Sequence, residues 1–269
     1  MVGLPRLINI TEGILAIQFI GTSSGKTSLN RYHSSILIES AESNLLIDTG
    51  DGISRALMAQ NIPFNSIENI LISHYHADHF SGLSSLITQM KLNNRITPLT
   101  IYTYKELVST LWSILNSHYL FLEKIDFKLS IEPFDYENEY RLSDTLSFKP
   151  IINSHVLPPD FYEHYKSISF NSSSFLITAV QHKVLYSSDI GSVSDLIPLV
   201  HLKPDILITE TTHVTTEELN LLLKQFSPRE MVLTHIDDGM EEELERWAKE
   251  NHSGHGTAII IAKDGLIIK

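Results

Sequence analysis

The chain has 269 residues, 42% apolar and 19% charged, an ordinary balance for a globular protein long enough to bury a sizeable core without staples. It has no cysteine, which excludes disulfides and thiolate metal sites and fits a reducing compartment. The net charge of −12 argues against a broad electropositive surface that tracks a nucleic-acid backbone.

Residues 1–18 carry Arg6 and an apolar stretch broken by Glu12, without the layout of a signal peptide. No run of 18 apolar residues exists in the sequence, so no membrane partner is expected and the expected location is the cytoplasm. Residues 14–20 read as the first strand. The loop Gly21-Thr22-Ser23-Ser24-Gly25-Lys26-Thr27-Ser28 follows. It is a flexible, backbone-exposing turn that lacks the spacing of a phosphate-cradling P-loop. Residues 35–40 and 45–48 read as a hairpin around Ala41-Glu42-Ser43-Asn44, ending in Asp48-Thr49-Gly50-Asp51-Gly52. A short helix over 54–60 stops near Pro63.

The strand 69–73, with the apolar run Ile70-Leu71-Ile72, reads as buried. It delivers His74-Tyr75-His76-Ala77-Asp78-His79, four potential metal ligands within six residues. His74 and His76 leave the strand end in one direction. Asp78 and His79 start the next helix, over 82–90, and point elsewhere, so one loop feeds two adjacent metals. Imidazole and carboxylate donors suit zinc, manganese or iron.

Between the halves, 104–115 reads as helix and 145–152 as a strand leading to His155. The acidic, aromatic stretch 135–140 reads as a solvated turn. Residues 157–169, with Pro158-Pro159, Phe161, Tyr162 and Tyr165, either cover the site or pack on themselves. A second hairpin, 174–179 and 184–188, ends in Asp189-Ile190-Gly191. A helical stretch to Val200, a buried strand over 205–209 and the cluster Glu210-Thr211-Thr212-His213 follow. Hairpin, Asp-x-Gly, helix, strand and polar cluster thus occur twice, about 140 residues apart. This pattern predicts two related halves, each a sheet covered by helices, packed sheet against sheet with their polar strand ends at one edge. A helix over 216–226, a strand over 230–234 leading to His235, a helix over 240–251 with acids in its first turn, and strands over 257–262 and 265–268 complete the chain. No linker interrupts it, so 1–269 reads as one domain.

His155, Asp189 and His235 each follow an apolar strand, where ligands belong. With the cluster they make two sets. His74, His76 and His155 would take one divalent cation, Asp78, His79 and His235 the other, and Asp189 would bridge. Open positions would remain for a hydroxide, as catalytic rather than structural sites require. A hydroxide between two metals is a strong nucleophile at neutral pH, and both metals can stabilise charge on a transferring phosphoryl group.

Asp48, the run from His74 to His79, His155, Asp189 and His235 match, in order, the five motifs of the metallo-β-lactamase superfamily, which the chain resembles over nearly its whole length. The resemblance implies an α/β fold, a four-layer αββα sandwich of two pseudo-repeated halves. Asp78 followed by His79 resembles the dinuclear phosphodiesterase branch rather than the lactamases. Gly21-Thr22 through Arg31 to Ser34-Ser35 is similar to the ribonuclease Z family of transfer-RNA 3′-processing enzymes. Ser188-Asp189 through Glu210-Thr211-Thr212-His213 to Leu233-Thr234-His235-Ile236 is similar to the phosphoribosyl cyclic phosphodiesterases. The chain departs from both. Only 33 residues separate His155 from Asp189, so the long Gly- and Pro-rich arm with which ribonuclease Z proteins hold transfer RNA is absent or reduced to the loop over 158–169. Their His-Glu-Ala-Thr reads Thr209-Glu210-Thr211-Thr212, and their Ser-x-Arg reads Ile236-Asp237-Asp238. The cysteine-rich zinc site of the cyclic phosphodiesterases cannot exist here.

What the resemblance implies for roles is specific. His213 aligns with a histidine near the dimetal centre that would protonate the leaving alkoxide, ordinary work for an imidazole. Asp78 and His213 are the candidate catalytic residues. Asp48 would hold a ligand histidine by a hydrogen bond, with Glu210 in the same supporting layer. His33, His118, His164, His182, His201, His252 and His255 read as surface or structural, His164 being the nearest to an exception. The expected activity is metal-hydroxide cleavage of a phosphodiester, small or cyclic, using two divalent ions, zinc or manganese with iron also compatible. The expected partner is a small-molecule or nucleotide phosphodiester, and the relatives suggest a homodimer. Two alternatives stand beside it: an RNA 3′-end processing endonuclease like ribonuclease Z, and a non-catalytic module on this fold that binds nucleic acid or another ligand.

Overall fold

In the hairpin formed by β-strands Ser35–Glu39 and Asn44–Ile47, the side chains of Ile36, Ile38, Leu45 and Ile47 turn to one face and those of Leu37 and Leu46 to the other, all buried. Strand side chains alternate between faces, so a strand apolar on both faces must be covered on both. That requirement sets the architecture. The computed structural model describes residues 15–166, 168–251 and 256–269; His252, His255 and most of the N-terminal stretch read above lie outside them.

The strands in chain order are β1 (Ala16–Gly21), β2 (Ser35–Glu39), β3 (Asn44–Ile47), β4 (Asn69–Leu71), β5 (Leu99–Tyr104), β6 (Leu129–Phe134) and β7 (Tyr140–Arg141). They continue as β8 (Leu146–Ile152), β9 (Ser173–Ala179), β10 (His182–Tyr186), β11 (Ile206–Thr209), β12 (Glu230–Leu233), β13 (Ala258–Ile261) and β14 (Ile267–Ile268). One seven-stranded sheet has the order β14-β1-β2-β3-β4-β5-β6, the other β13-β12-β11-β10-β9-β8-β7. The helices are α1 (Ile53–Ala59), α2 (Ala77–Phe80), α3 (Leu83–Leu92), α4 (Val108–Ser117), α5 (Thr216–Phe226) and α6 (Glu241–Asn251).

Three apolar layers follow. Ile17, Phe19, Ile38 and Ile47 of the first sheet meet Phe148, Phe175, Ile177 and Ile208 of the second. On the outer side of the first sheet, Leu37, Leu46 and Ile70 pack against Ala56 and Leu57 of α1, Leu86 and Ile87 of α3 and Leu111 of α4. On the outer side of the second, Leu185, Leu207 and Met231 pack against Leu219 and Leu222 of α5 and Trp247 of α6. Each such side chain removed from water contributes about 1.5–3 kcal/mol. The result is the expected four-layer αββα sandwich of two halves.

Two strands of the first sheet were not expected. β5 alternates buried and half-buried residues, a clear period of two, but it runs straight into the segment that the sequence reads as helix from Tyr104. That helix begins only at Val108, after a 3₁₀ turn over Lys105–Leu107. β6 is an edge strand carrying Pro133, a residue tolerated there because one edge needs no ladder donor. The expected helix after Gly191 resolves into two 3₁₀ segments, Val193–Asp195 and Ile197–Leu202, the second with Pro198 in its first turn. The segment 157–169 contains a 3₁₀ turn, Tyr162–Tyr165. No helix among the described residues is long and apolar enough to cross a membrane.

Candidate metal centre

β3 and β4 run parallel, as do β10, β11 and β12. Parallel strands present their carboxyl ends on one edge, where ligand sites of such sheets form. Both halves deliver their polar clusters from these ends. The turns are abrupt: Asp48, Ser188 and His235 have φ of 62°, 51° and 55°, a region costly for residues with a Cβ and concentrated at functional sites. Backbones also approach closely. A Cβ on Gly50 would lie 2.1 Å from the Asp78 carbonyl oxygen, and one on Gly191 would lie 2.3 Å from Ser154 Oγ.

The imidazoles of His74, His76 and His155 converge. His76 Nδ1 is 3.1 Å from His74 Nε2 and 3.0 Å from His155 Nε2. A second group forms beside it: Asp78 Oδ2 is 3.1 Å from His235 Nε2 and 3.4 Å from His79 Nε2. Asp189 joins both groups. Its Oδ1 is 3.2 Å from His79 Nε2 and 3.4 Å from His235 Nε2, and its Oδ2 is 3.6 Å from His155 Nε2. Two nitrogens on one tetrahedral zinc, each about 2.0–2.1 Å from it, stand about 3.3 Å apart, so these spacings fit ligand donors. His79 Nε2 and Asp189 Oδ1 are buried without a hydrogen-bond partner, as unused donor atoms aimed at a cation would be. The residues present therefore fit two divalent ions.

The supporting hydrogen bonds fix which ring nitrogen is free. Buried Asp48 takes the Ser73 N–H and the Ser73 hydroxyl, each at 2.8 Å, and lies 2.8 Å from His79 Nδ1. Asp48 accepts from both Ser73 donors, and accepting from His79 as well places the His79 proton on Nδ1 and turns Nε2 to the centre. With its O–H donated in a hydrogen bond to Asp48, the Ser73 hydroxyl accepts from His74 Nδ1 at 3.0 Å, which frees His74 Nε2. The second half repeats the pattern. Glu210 accepts from Ile190 N, Thr212 N and His213 N at 2.8, 3.2 and 2.9 Å. It takes the Thr212 hydroxyl at 2.7 Å and His213 Nδ1 at 2.8 Å. Thr212 Oγ1 in turn accepts from His235 Nδ1 at 2.8 Å, leaving His235 Nε2 for the centre. Such outer partners orient metal ligands and fix their tautomers.

The electrostatics agree. Burial and the neighbouring imidazoles hold His74 well below the usual imidazole range. His79 is raised well above it: burial opposes, but the carboxylates of Asp189 and Asp48 prevail. Asp78 and Asp189 lie far below the usual carboxylate range despite burial, because His79 and His235 face both. This cluster of carboxylates demands positive charge, and a divalent cation meets the same demand as a proton. His213 is raised, first by its bond to Glu210.

The ring centroid of His213 is 4.8 Å from that of His155, and both line a cavity of about 390 Å³ with His76, Asp78, Asp189 and His235. The seven predicted ligands, His213 and the supporting pair Asp48 and Glu210 thus meet at one place. Of the remaining histidines, His118 bonds Ser84 and His201 a backbone carbonyl, both away from the cavity; His33, His164 and His182 do not line it either. Among the described residues of 157–169, none lines it. Phe161 and Tyr165 stand 6.0 Å apart between ring centroids, and Ser169 reaches Glu106 outside the loop. Sequence reasoning missed Ser73 and Thr212, although each stands directly before a site histidine. It also missed Ser24, Lys26 and Asp237 of the cavity wall.

Residues 15–255 match the family model described as Anti-Pycsar protein Apyc1. Among curated proteins, the chain is similar to ribonuclease Z of Methanococcus aeolicus, 31% identical over 131 residues, which covers 49% of this chain and 40% of that protein. The chain thus spans well under half the length of that curated relative. Among solved structures, the metallo-β-lactamase fold protein YhfI from Bacillus subtilis superposes with a TM-score of 0.75 at 20% identity, covering 94% of this chain and 98% of that one. The short form of human tRNase Z gives a TM-score of 0.69 at 20% identity over the same shares. These likenesses show the metallo-β-lactamase fold.

Proposed function

The chain belongs to the family of the Anti-Pycsar protein Apyc1, and on that premise we propose that it is a metal-dependent hydrolase that cleaves a phosphodiester, small or cyclic. The observation that carries this reading is Asp189, which offers one oxygen to the His79–His235 group and the other to His155. A shared carboxylate between two complete donor sets is what an adjacent pair of cations needs. His74, His76 and His155 would hold one ion and Asp78, His79 and His235 the other, with Asp189 between. Zinc or manganese suits these imidazole and carboxylate donors, and iron is compatible. Bound there, the pair would supply a water of lowered pKa and charge stabilisation for phosphoryl oxygens.

The chain's own residues do the rest. Asp48 and Glu210 lock the rings, so the donor geometry costs no reorganisation during reaction. His213 holds one proton on Nδ1 against Glu210, and its raised pKa keeps a second on Nε2 to higher pH than an ordinary imidazole. That Nε2–H is the group that protonates the leaving oxygen, and Glu210 stabilises the imidazolium beforehand. The same carboxylate holds the turn at Thr212 and His213 through two backbone N–H groups, which fixes His213 relative to His155.

Three observations favour a small substrate. The cavity is about 390 Å³, within the range of small-molecule sites. Among the described residues its lining contains no phenylalanine, tyrosine or tryptophan, the stacking platforms that single-stranded nucleic acid uses. The net charge of −12 disfavours a long polyanion. The likeness to ribonuclease Z supports the second reading, an RNA 3′-end nuclease presenting its substrate by another surface.

The test is hydrolysis of bis(p-nitrophenyl) phosphate by metal-loaded protein beside an Asp189→Ala variant and a chelated sample. Activity that needs both metal and Asp189 is expected. No turnover with two metals verified as bound would overturn the phosphodiesterase reading. A cyclic mononucleotide and a transfer-RNA precursor, run side by side, then separate the two substrate classes.

A further inference from the structure

The loop carrying Gly25 and Lys26 belongs to the first half, but the second half holds it. Ile236 N donates to the Thr22 carbonyl at 2.8 Å, Ser24 N donates to the Ile236 carbonyl at 3.3 Å, and the Ser28 hydroxyl donates to Asp238 at 2.7 Å. Gly25 passes so close to the donor set that a Cβ there would lie 3.4 Å from Asp78 Oδ2. The next residue, Lys26, places its ammonium on one carboxylate oxygen of Asp237, and the Ser24 hydroxyl donates to the other. Lys26, Asp237 and Ser24 all line the cavity, and among the described residues of that lining Lys26 carries the only ammonium or guanidinium.

An exposed ion pair contributes little to folding, and Lys26 is 80% exposed. Its position has a better explanation in the cavity. Asp237 is a carboxylate outside both donor sets, and left unpaired it would repel any anion entering. Lys26 cancels that charge with one of its three N–H donors, and the others remain for a ligand. The loop is pinned by its backbone at Thr22 and Ser24 and by the Ser28 hydroxyl, so much of the ordering cost of a lysine contact is met before a ligand arrives.

We propose that Lys26 is a substrate-binding residue whose ammonium hydrogen-bonds an oxygen of the anionic phosphoryl group, and that Asp237 positions it. The identity of the anion rests on the phosphodiesterase reading above; the binding of phosphate does not. The experiment uses metal-loaded protein and inorganic phosphate as the probe, with calorimetry for binding and bis(p-nitrophenyl) phosphate for kinetics. Lys26→Met should weaken phosphate binding about tenfold, the loss expected of one charge-assisted hydrogen bond in an open site. It should raise KM by a similar factor and leave kcat within about threefold, since the contact is uniform between ground and transition states. Lys26→Arg should restore most of the affinity, and the salt dependence of phosphate binding should flatten in Lys26→Met. Asp237→Asn should show a smaller loss with unchanged metal content. Phosphate affinity in Lys26→Met within about twofold of the parent, at the same metal content and thermal stability, overturns the proposal, as does a parent with two metals that binds no phosphate. A parent that hydrolyses no diester, while Lys26→Met still weakens phosphate, removes the phosphodiesterase reading and leaves Lys26 an anion-binding residue.

Discussion

In the first half of the molecule Asp48 holds His79 directly and His74 through the Ser73 hydroxyl. In the second, Glu210 holds His213 directly and His235 through the Thr212 hydroxyl. The two devices match atom type for atom type, yet their outputs differ. His79 is fully buried, its Nε2 enclosed by Asp78 and Asp189; His213 has a side chain 41% exposed at the cavity. A carboxylate behind an imidazole fixes a tautomer in both cases. On the function proposed above, what stands in front would decide between ligand and acid: facing two carboxylates the free nitrogen of His79 would bind a cation, whereas facing open cavity that of His213 would donate a proton.

Truncating the two directly held rings should separate these roles most strongly. His79→Ala should leave one metal per chain by elemental analysis. His213→Ala should keep both and lower kcat by about 10²–10⁴-fold, the usual size of a general-acid contribution. Two metals retained in His79→Ala would break the comparison. Replacing the carboxylates comes next. Asp48→Asn should weaken metal affinity about 10–100-fold, measured by competition with a chelator. Glu210→Gln should instead move the pH profile. Glu210 raises the His213 pKa, and the acid must be protonated to act, so activity falls as pH rises through that pKa. Removing the carboxylate lowers it, and the alkaline decline of kcat, measured at saturating metal, should begin at lower pH. The smallest effects belong to the hydroxyls. Ser73→Ala and Thr212→Val should each cost about 0.5–1.5 kcal/mol of metal-binding free energy, roughly two- to tenfold in affinity.

Much of the centre was legible because its donors obey local patterns. His74 to His79 are contiguous, and His155, Asp189 and His235 each follow an apolar strand that has to be buried. Asp48 was legible only through the family motif, since nothing near it in sequence marks a partner 31 residues away. Ser73 and Thr212 escaped because a hydroxyl beside a histidine is ordinary until its two neighbours are seen. The loop over Lys26 lacks P-loop spacing, which left it without a role in the sequence. Its role comes from Ile236 and Asp237, more than 200 positions later, which no local period reveals. β5 and β6 were lost to a helical reading of Tyr104 and to Pro133.

The last strand has a consequence for how the protein is made. β13 ends the second sheet, but β14 crosses to the edge of the first, pairing Ile268 with Ile17. During synthesis, β1 therefore waits with one ladder edge open until Ile267 and Ile268 leave the ribosome. Contacts of such separation slow folding and leave an edge able to pair with another nascent chain. A truncation that removes 265–269 should accordingly reveal itself first as aggregation during expression, before any defect in metal binding.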